Sequence, residues 1–115
     1  MLLTSRETRR WVIPKGWPMV GLEPQDCAAA EAFEEGGVKG RVSRSIGVYA
    51  YDKVLKDSSA RNLRVEVFPL EVGVELEAWP EASERDRQWF SPAEAAASVD
   101  EPDLAALIRG FTPQG

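Results

Sequence analysis

The sequence predicts an α+β domain of the three-layer α/β/α kind, and three observations predict it. Leu63-Arg64-Val65-Glu66-Val67-Phe68 alternates apolar and polar residues with the period of a half-buried strand. Pro24 to Glu35 carries helix signals at both ends. Leu104, Leu107, Ile108 and Phe111 recur at helical spacing near the C-terminus, which makes a core-facing stripe rather than a cofactor box. Strands and helices mixed around one central helix pack as two or three layers. A length of 115 residues suits one domain, 1–115, with a single active or binding surface.

Taken in order, Met1 to Leu3 reads as a strand fragment, Ser5 to Thr8 as a polar turn, and Trp11-Val12-Ile13 as a short β run stopped by Pro14. Lys15 to Gly21 is a glycine-bounded loop. Pro24 fits a first helical turn, where its missing N–H costs nothing, Asp26 favours that positive end, and Gly36-Gly37 close the helix. Val42, Ile46, Val48 and Tyr49 suggest one strand, followed by a charged hairpin loop from Asp52 to Asn62. The alternating run from Leu63 is expected to continue past Pro69 into Leu70-Glu71-Val72. Glu77 to Arg87 reads as a loop and Trp89-Phe90 as a short buried strand. Ser91-Pro92-Ala93-Glu94 has an N-cap serine, a proline in the first position and an acid in the first turn, so it opens a helix through Ala97. The last helix is Asp103 to Phe111, and the chain after it is expected to fray.

Composition excludes several chemistries. There is no histidine, so Ser-His-Asp and Cys-His mechanisms are absent and zinc lacks its commonest nitrogen ligand. Carboxylates remain as the general bases. Cys27 is the one cysteine and reads as a small filler in an Ala-rich helix. A net charge of −5 argues against nucleic acid as a partner, and no apolar run is long enough to span a bilayer. The start MLLTSRETRR does not read as a signal peptide, so a cytoplasmic location is expected. Arg6, Arg9, Arg10 and Lys15 gather near the start, which suits a small polyanion better than a long backbone.

One stretch breaks a local rule. AAAEAFEEGGV puts Glu31, Glu34 and Glu35 at the negative end of the central helix, where each loses ~0.3 to 1 kcal/mol. At 100° per residue the three fall within about a 100° arc, opposite Ala29 and Phe33. Such crowding is either a solvated acidic face or a site for a hard divalent cation such as Mg²⁺, which prefers oxygen ligands and keeps several waters.

PKGWPMVGLEPQDCAAAEAFEEGGV resembles the signature box of the Nudix hydrolases: Gly, five residues, Glu, seven residues, Arg-Glu, an aliphatic, any residue, Glu-Glu, any residue, Gly, an aliphatic. Counted from Gly16, the chain matches at Glu31, Glu34, Glu35, Gly37 and Val38. Around it SRETRRWVIPKG, EEGGVKGRV and AWPEASERDRQWFSPAEA resemble the diphosphoinositol polyphosphate and diadenosine polyphosphate hydrolase branch. The chain departs from the signature at Leu22, which stands for its first glutamate, and at Ala30, which stands for its arginine. It also lacks the strand that the family places ahead of MLLTSR.

The resemblance implies a Nudix-type α/β/α sandwich with a mixed sheet, lacking the first strand, and hydrolysis of a diphosphate linked to another group. It implies Mg²⁺ or Mn²⁺ on Glu31, Glu34 and Glu35, with a backbone carbonyl near Lys15 or Gly16. Arg10 and Lys15 are then the first candidates for phosphate contacts, with Arg6 and Arg85 next, whereas Arg9 reads as a solvated surface residue. Glu34 is the first candidate general base, and Glu81 and Glu84 of the WPEASER loop are the alternatives. Trp11 and Trp89 are expected in the core. Trp17 and Trp79 either stack on an adenine or pack over the box loop. The partner implied is a small phosphorylated substrate, and a homodimer is left open. A catalytically weak domain that binds such a ligand, or a protein, is the competing expectation raised by Leu22 and Ala30.

Overall fold

The computed structural model describes residues 1–6, 8–54, 57 and 59–111, with the backbone alone at 53 and 54. Its apolar opening is strand β1 (Leu2–Thr4), buried at every residue. It is the central strand of its sheet, between β2 (Trp11–Val12) and β7 (Arg87–Gln88), both antiparallel to it, so both of its edges are paired. The register sets Leu3 opposite both Val12 and Arg87, so the segment leading into β7 is delivered beside the start of the chain. Between β1 and β2 the Ser5 N–H donates to Arg10 O at 2.8 Å and the Arg9 N–H to Ser5 O at 3.1 Å, and Arg9 takes a φ of 59°.

Helix α1 (Pro24–Gly36) starts and stops where its sequence signals stand. Its end is fixed by Gly37 at φ 66°, whose N–H reaches Ala32 O and Phe33 O. A Cβ at Gly37 would meet the Trp79 ring, so backbone angle and space both call for glycine there.

After α1 the chain forms β3 (Val38–Val42), β4 (Gly47–Val54), β5 (Ala60–Val67) and β6 (Leu70–Glu75), with β3 antiparallel to β6 and β4 antiparallel to β5. Three sequence expectations change here. The single strand expected across Val42 to Tyr49 is two strands, because Ser43 N–H donates to Pro69 O and Ile46 N–H to Val67 O, turning the chain from one partner to the other. The run expected to continue past Pro69 likewise breaks, since Pro69 has no N–H to give a ladder, and β5 and β6 go to different partners. The hairpin loop expected from Asp52 to Asn62 is much shorter, because Asp52 and Asn62 are themselves paired across β4 and β5. Residues 55, 56 and 58 of that loop, Glu7 of the first turn, and the fraying expected at 112–115 lie outside the described residues. Within β5 the period-2 reading holds, with Leu63, Val65 and Val67 turned inward and Arg64 and Glu66 outward.

Helices α2 (Pro92–Ser98) and α3 (Pro102–Gly110) complete an α+β chain whose strand pairings are antiparallel throughout the described residues. Leu2, Tyr49, Ala95, Ala96, Val99, Leu104 and Ala105 form the buried core, with Trp11, Phe90, Leu107 and Ile108 packed against it. Trp11 meets Phe90 edge to face at 5.1 Å. Trp89 is not in the core as expected, and the strand there is Arg87–Gln88 instead. Trp89 is 52% exposed, with its indole N–H donating to the Glu75 carboxylate. No helix among the described residues is long and apolar enough to cross a membrane.

Candidate active site

Helix α1 has no basic residue in its last turn, although Glu34 and Glu35 stand there and Glu31 one turn before Glu35. The missing positive charge comes from Arg87, the first residue of β7, and the segment before it supplies further donors. Trp79 Nε1 donates to Glu35 O at 3.0 Å, the Glu81 N–H donates to Glu34 O at 3.1 Å, and Arg87 Nη1 donates to Gly36 O at 2.8 Å and Gly37 O at 3.2 Å. Arg87 Nη2 also donates to Leu76 O, and the guanidinium lies 4.0 Å from the centroid of the Trp79 ring. Orphan carbonyls at a helix end are thus satisfied by residues far away in sequence, one of which, Arg87, carries the sign that the dipole favours. Trp79 packs over the box, one of its two sequence-level alternatives.

The three glutamates differ in surroundings. Glu35 is 5% exposed, Glu31 is half-buried, and Glu34 is exposed. Glu31 lies against Gly16, its carboxylate in the space that a Cβ at Gly16 would take. Glu35 accepts the Lys15 N–H at 3.3 Å and lies 3.7 Å from Arg85 Nη2. Burial pushes the Glu35 carboxyl up to about 8; its hydrogen bond with Glu31 pushes the same way, while Arg85 and the Lys15 N–H pull it back. The loop bearing Gly16 therefore meets α1 at Glu31, whose carboxyl neighbours that of Glu35. Among the described residues no three acidic or thiol side chains form a ready-made metal cage. Two adjacent carboxylates with an exposed third on the same helix nonetheless suit an ion that retains most of its water.

Lys15 and Arg10, the first candidates for phosphate contacts, come together on Tyr51: Lys15 Nζ is 4.3 Å and the Arg10 guanidinium 5.4 Å from its ring centroid. Arg10 is also tied to Glu101 at 2.7 Å and Asp100 at 3.6 Å. Tyr51, which joins the two cations, has no signal in the sequence beyond its place in a strand. Arg6 faces Glu81 at 3.9 Å and Glu84 at 3.7 Å, so both candidate bases of the WPEASER loop sit beside arginines. Arg85 is placed between Glu81 at 2.9 Å and Glu35. Arg9, expected at the surface, is exposed and paired with Asp86. Leu22 is 45% exposed and Ala30 half-buried, so neither hydrophobe is taken into the core in place of the charge the signature would have there. Trp17 is 52% exposed, with Arg61 5.7 Å from its ring, and Cys27 is half-buried, its Sγ accepting the Met19 N–H.

The model of the NUDIX domain matches residues 1–113. The chain is 34% identical to diphosphoinositol polyphosphate phosphohydrolase 3-alpha of Mus musculus over 97 residues, 83% of this chain and 56% of that protein. It is 32% identical over the same share of its length to diphosphoinositol polyphosphate phosphohydrolase 2 of Rattus norvegicus, covering 50% of it. Nudix hydrolase 21, chloroplastic, of Arabidopsis thaliana is 30% identical over 114 residues, 96% of this chain and 54% of that protein. The chain spans about half the length of the curated relatives it matches. With a match across nearly every residue and a paired-carboxylate helix end at its centre, the chain belongs to the Nudix family.

Proposed function

We propose that the chain hydrolyses a pyrophosphate bond in a diphosphate linked to another group, with diphosphoinositol polyphosphate or diadenosine polyphosphate as the first substrates to try. The observation that carries this reading is the contact of Glu31 and Glu35 beside Gly16, with Lys15 joining that pair through its N–H to the cations on Tyr51. The names of the mammalian relatives support the substrate class.

Glu31, Glu35 and the exposed Glu34, with a carbonyl of the Gly16 loop, would hold Mg²⁺ or Mn²⁺. Such an ion would neutralise pyrophosphate oxygens and lower the pKa of an attacking water. The chain's own part is positioning and charge. Lys15 and Arg10 receive the phosphate oxygens and orient the anhydride across the end of α1. Glu34, exposed and therefore free to turn toward water, takes the proton from the nucleophile.

The test is phosphate release from a panel of diphosphoinositol phosphates, diadenosine polyphosphates and nucleotide sugars with Mg²⁺ or Mn²⁺. Turnover that disappears in Glu34→Gln and Glu35→Gln supports the reading. Ligand binding without turnover supports a second reading, a binding domain of reduced or no activity, which Leu22 and Ala30 favour.

A further inference from the structure

We infer that Glu81, Arg85 and Glu35 act as one positioning unit, in which Glu81 anchors Arg85 and Arg85 fixes the carboxylate of Glu35. This inference rests on the pyrophosphohydrolase reading of the site. It gives Arg85 a task other than the phosphate contact that family resemblance implies, and removes Glu81 from the candidates for general base.

The argument is one of geometry and burial. Each of the three guanidinium nitrogens of Arg85 already faces a protein acceptor: Nε the Glu81 carboxylate at 2.9 Å, Nη1 the Thr4 carbonyl at 3.3 Å, and Nη2 Glu35 at 3.7 Å. The side chain is 10% exposed, against 55% for Arg6 and 23% for Arg10. Two of its five N–H donors are hydrogen-bonded, Nη2 faces Glu35 as an ion pair, and the side chain is nearly buried, so the fork holds its neighbours in place and turns little of itself toward an incoming phosphate. Glu81 is likewise held in place. Its Oε1 meets both Arg85 Nε and Arg6 Nε, and its N–H donates to Glu34 O, so the residue is pinned to the end of α1. Thr4 belongs to β1, so three separate parts of the chain meet at one guanidinium and converge on Glu35. Glu35 shares a helix with Ala30, where the signature has its own arginine, so Arg85 supplies from a remote loop the cation that α1 lacks.

Four variants test this: Arg85→Met, Arg85→Lys, Glu81→Gln and the double variant Glu81→Gln/Arg85→Met, each measured for kcat, KM, melting temperature and Mn²⁺ binding by calorimetry without substrate. Arg85→Met is expected to lower kcat and Mn²⁺ affinity tenfold or more with KM within twofold of the parent. Arg85→Lys, which keeps the charge but not the fork, should hold the melting temperature while kcat stays depressed. Glu81→Gln should lose less, in the same direction, and the double variant should be no worse than Arg85→Met alone. Losses that multiply in the double variant overturn the unit, as does a raised KM with kcat retained in Arg85→Met. A Glu81→Gln enzyme that is dead yet binds Mn²⁺ normally overturns it too, and restores Glu81 as a base. Should Arg85→Met fail to fold, Arg85→Lys and Glu81→Gln carry the same comparison. If the parent hydrolyses nothing in the panel, the pyrophosphohydrolase reading fails while Mn²⁺ titration of the variants still decides the positioning role; a parent that binds no Mn²⁺ overturns both.

Discussion

Helices α2 and α1 face the same problem, unpaired backbone groups at a helix end, and solve it in opposite ways. At the start of α2 the Ser91 hydroxyl accepts the Glu94 N–H at 3.2 Å and the Glu94 carboxylate accepts the Ser91 N–H at 3.4 Å, a closed capping box within four residues. At the end of α1 the carbonyls of Glu34, Glu35, Gly36 and Gly37 are met by Glu81, Trp79 and Arg87, which follow them by more than forty residues. A local cap stabilises a helix whether or not the rest of the chain has folded. A remote cap exists only in the finished fold, and it ties the helix that carries the site acids to the loop that carries Arg85. The helix end that carries the candidate site is therefore closed by Gly37 on one side and by tertiary structure on the other.

The sharpest way to break the remote cap is Trp79→Ala. It removes the indole donor to Glu35 O, the ring under Arg87 and the surface against which Gly37 packs. A cost of about 3 kcal/mol is expected from the lost burial and bond, read as a lowered midpoint in urea unfolding. Mn²⁺ affinity should fall with it, because the last turn of α1 loosens.

Gly37→Ala attacks the same junction from the helix side. An alanine Cβ at φ 66° costs about 1–2 kcal/mol in backbone strain, and it must also displace the Trp79 ring. If thermal unfolding of this variant costs more than the backbone figure alone, the excess measures how firmly the indole is seated. If Gly37→Ala and Trp79→Ala together cost no more than Trp79→Ala plus the backbone figure, the two residues form one joint.

Ser91→Ala supplies the contrast. Losing the N-cap hydroxyl should cost about 1 kcal/mol of stability, seen as a modest drop in melting temperature, and leave Mn²⁺ affinity unchanged. A change in metal binding would show that the two helix ends are coupled, contrary to the division drawn here.

The same division explains what the sequence could disclose. Ser91-Pro92-Ala93-Glu94 is a signal within one turn, Pro24 and Gly37 are each a signal to the turn beside them, and both helices start or stop where those signals lie. The fixed spacing from Gly16 to Val38 likewise points to the three glutamates, since it lies within one loop and one helix. Partners set by tertiary folding carried no such mark. Nothing local says that β5 goes to β4 while β6 goes to β3 across Pro69, that Tyr51 gathers Lys15 and Arg10, or that Arg85 reaches Glu35. Trp89 misled for a related reason. An aromatic pair before a cap looks like a buried strand, yet two residues cannot both face inward at a corner, and Phe90 took the core while Trp89 turned to Glu75.

The smallest expected effect makes the comparison quantitative for charges. Arg9 and Asp86 form the tightest ion pair of the 77–87 segment, at 2.7 Å, whereas Arg85 and Glu35 stand 3.7 Å apart. Distance alone would rank the first pair as stronger. Exposure reverses the order, because the first pair is 53% and 73% exposed and the second 10% and 7%. Water and salt screen the exposed pair, and holding two long side chains together costs entropy, so its net contribution is within about 0.5 kcal/mol of zero. Asp86→Asn leaves the backbone bond from the Thr4 N–H to Asp86 O in place, so it should move the melting temperature scarcely at all, at low salt or high. A clear loss at low salt that vanishes at high salt would show that the surface charges of this loop help to hold it, and that the remote cap depends on more than Trp79, Glu81 and Arg87.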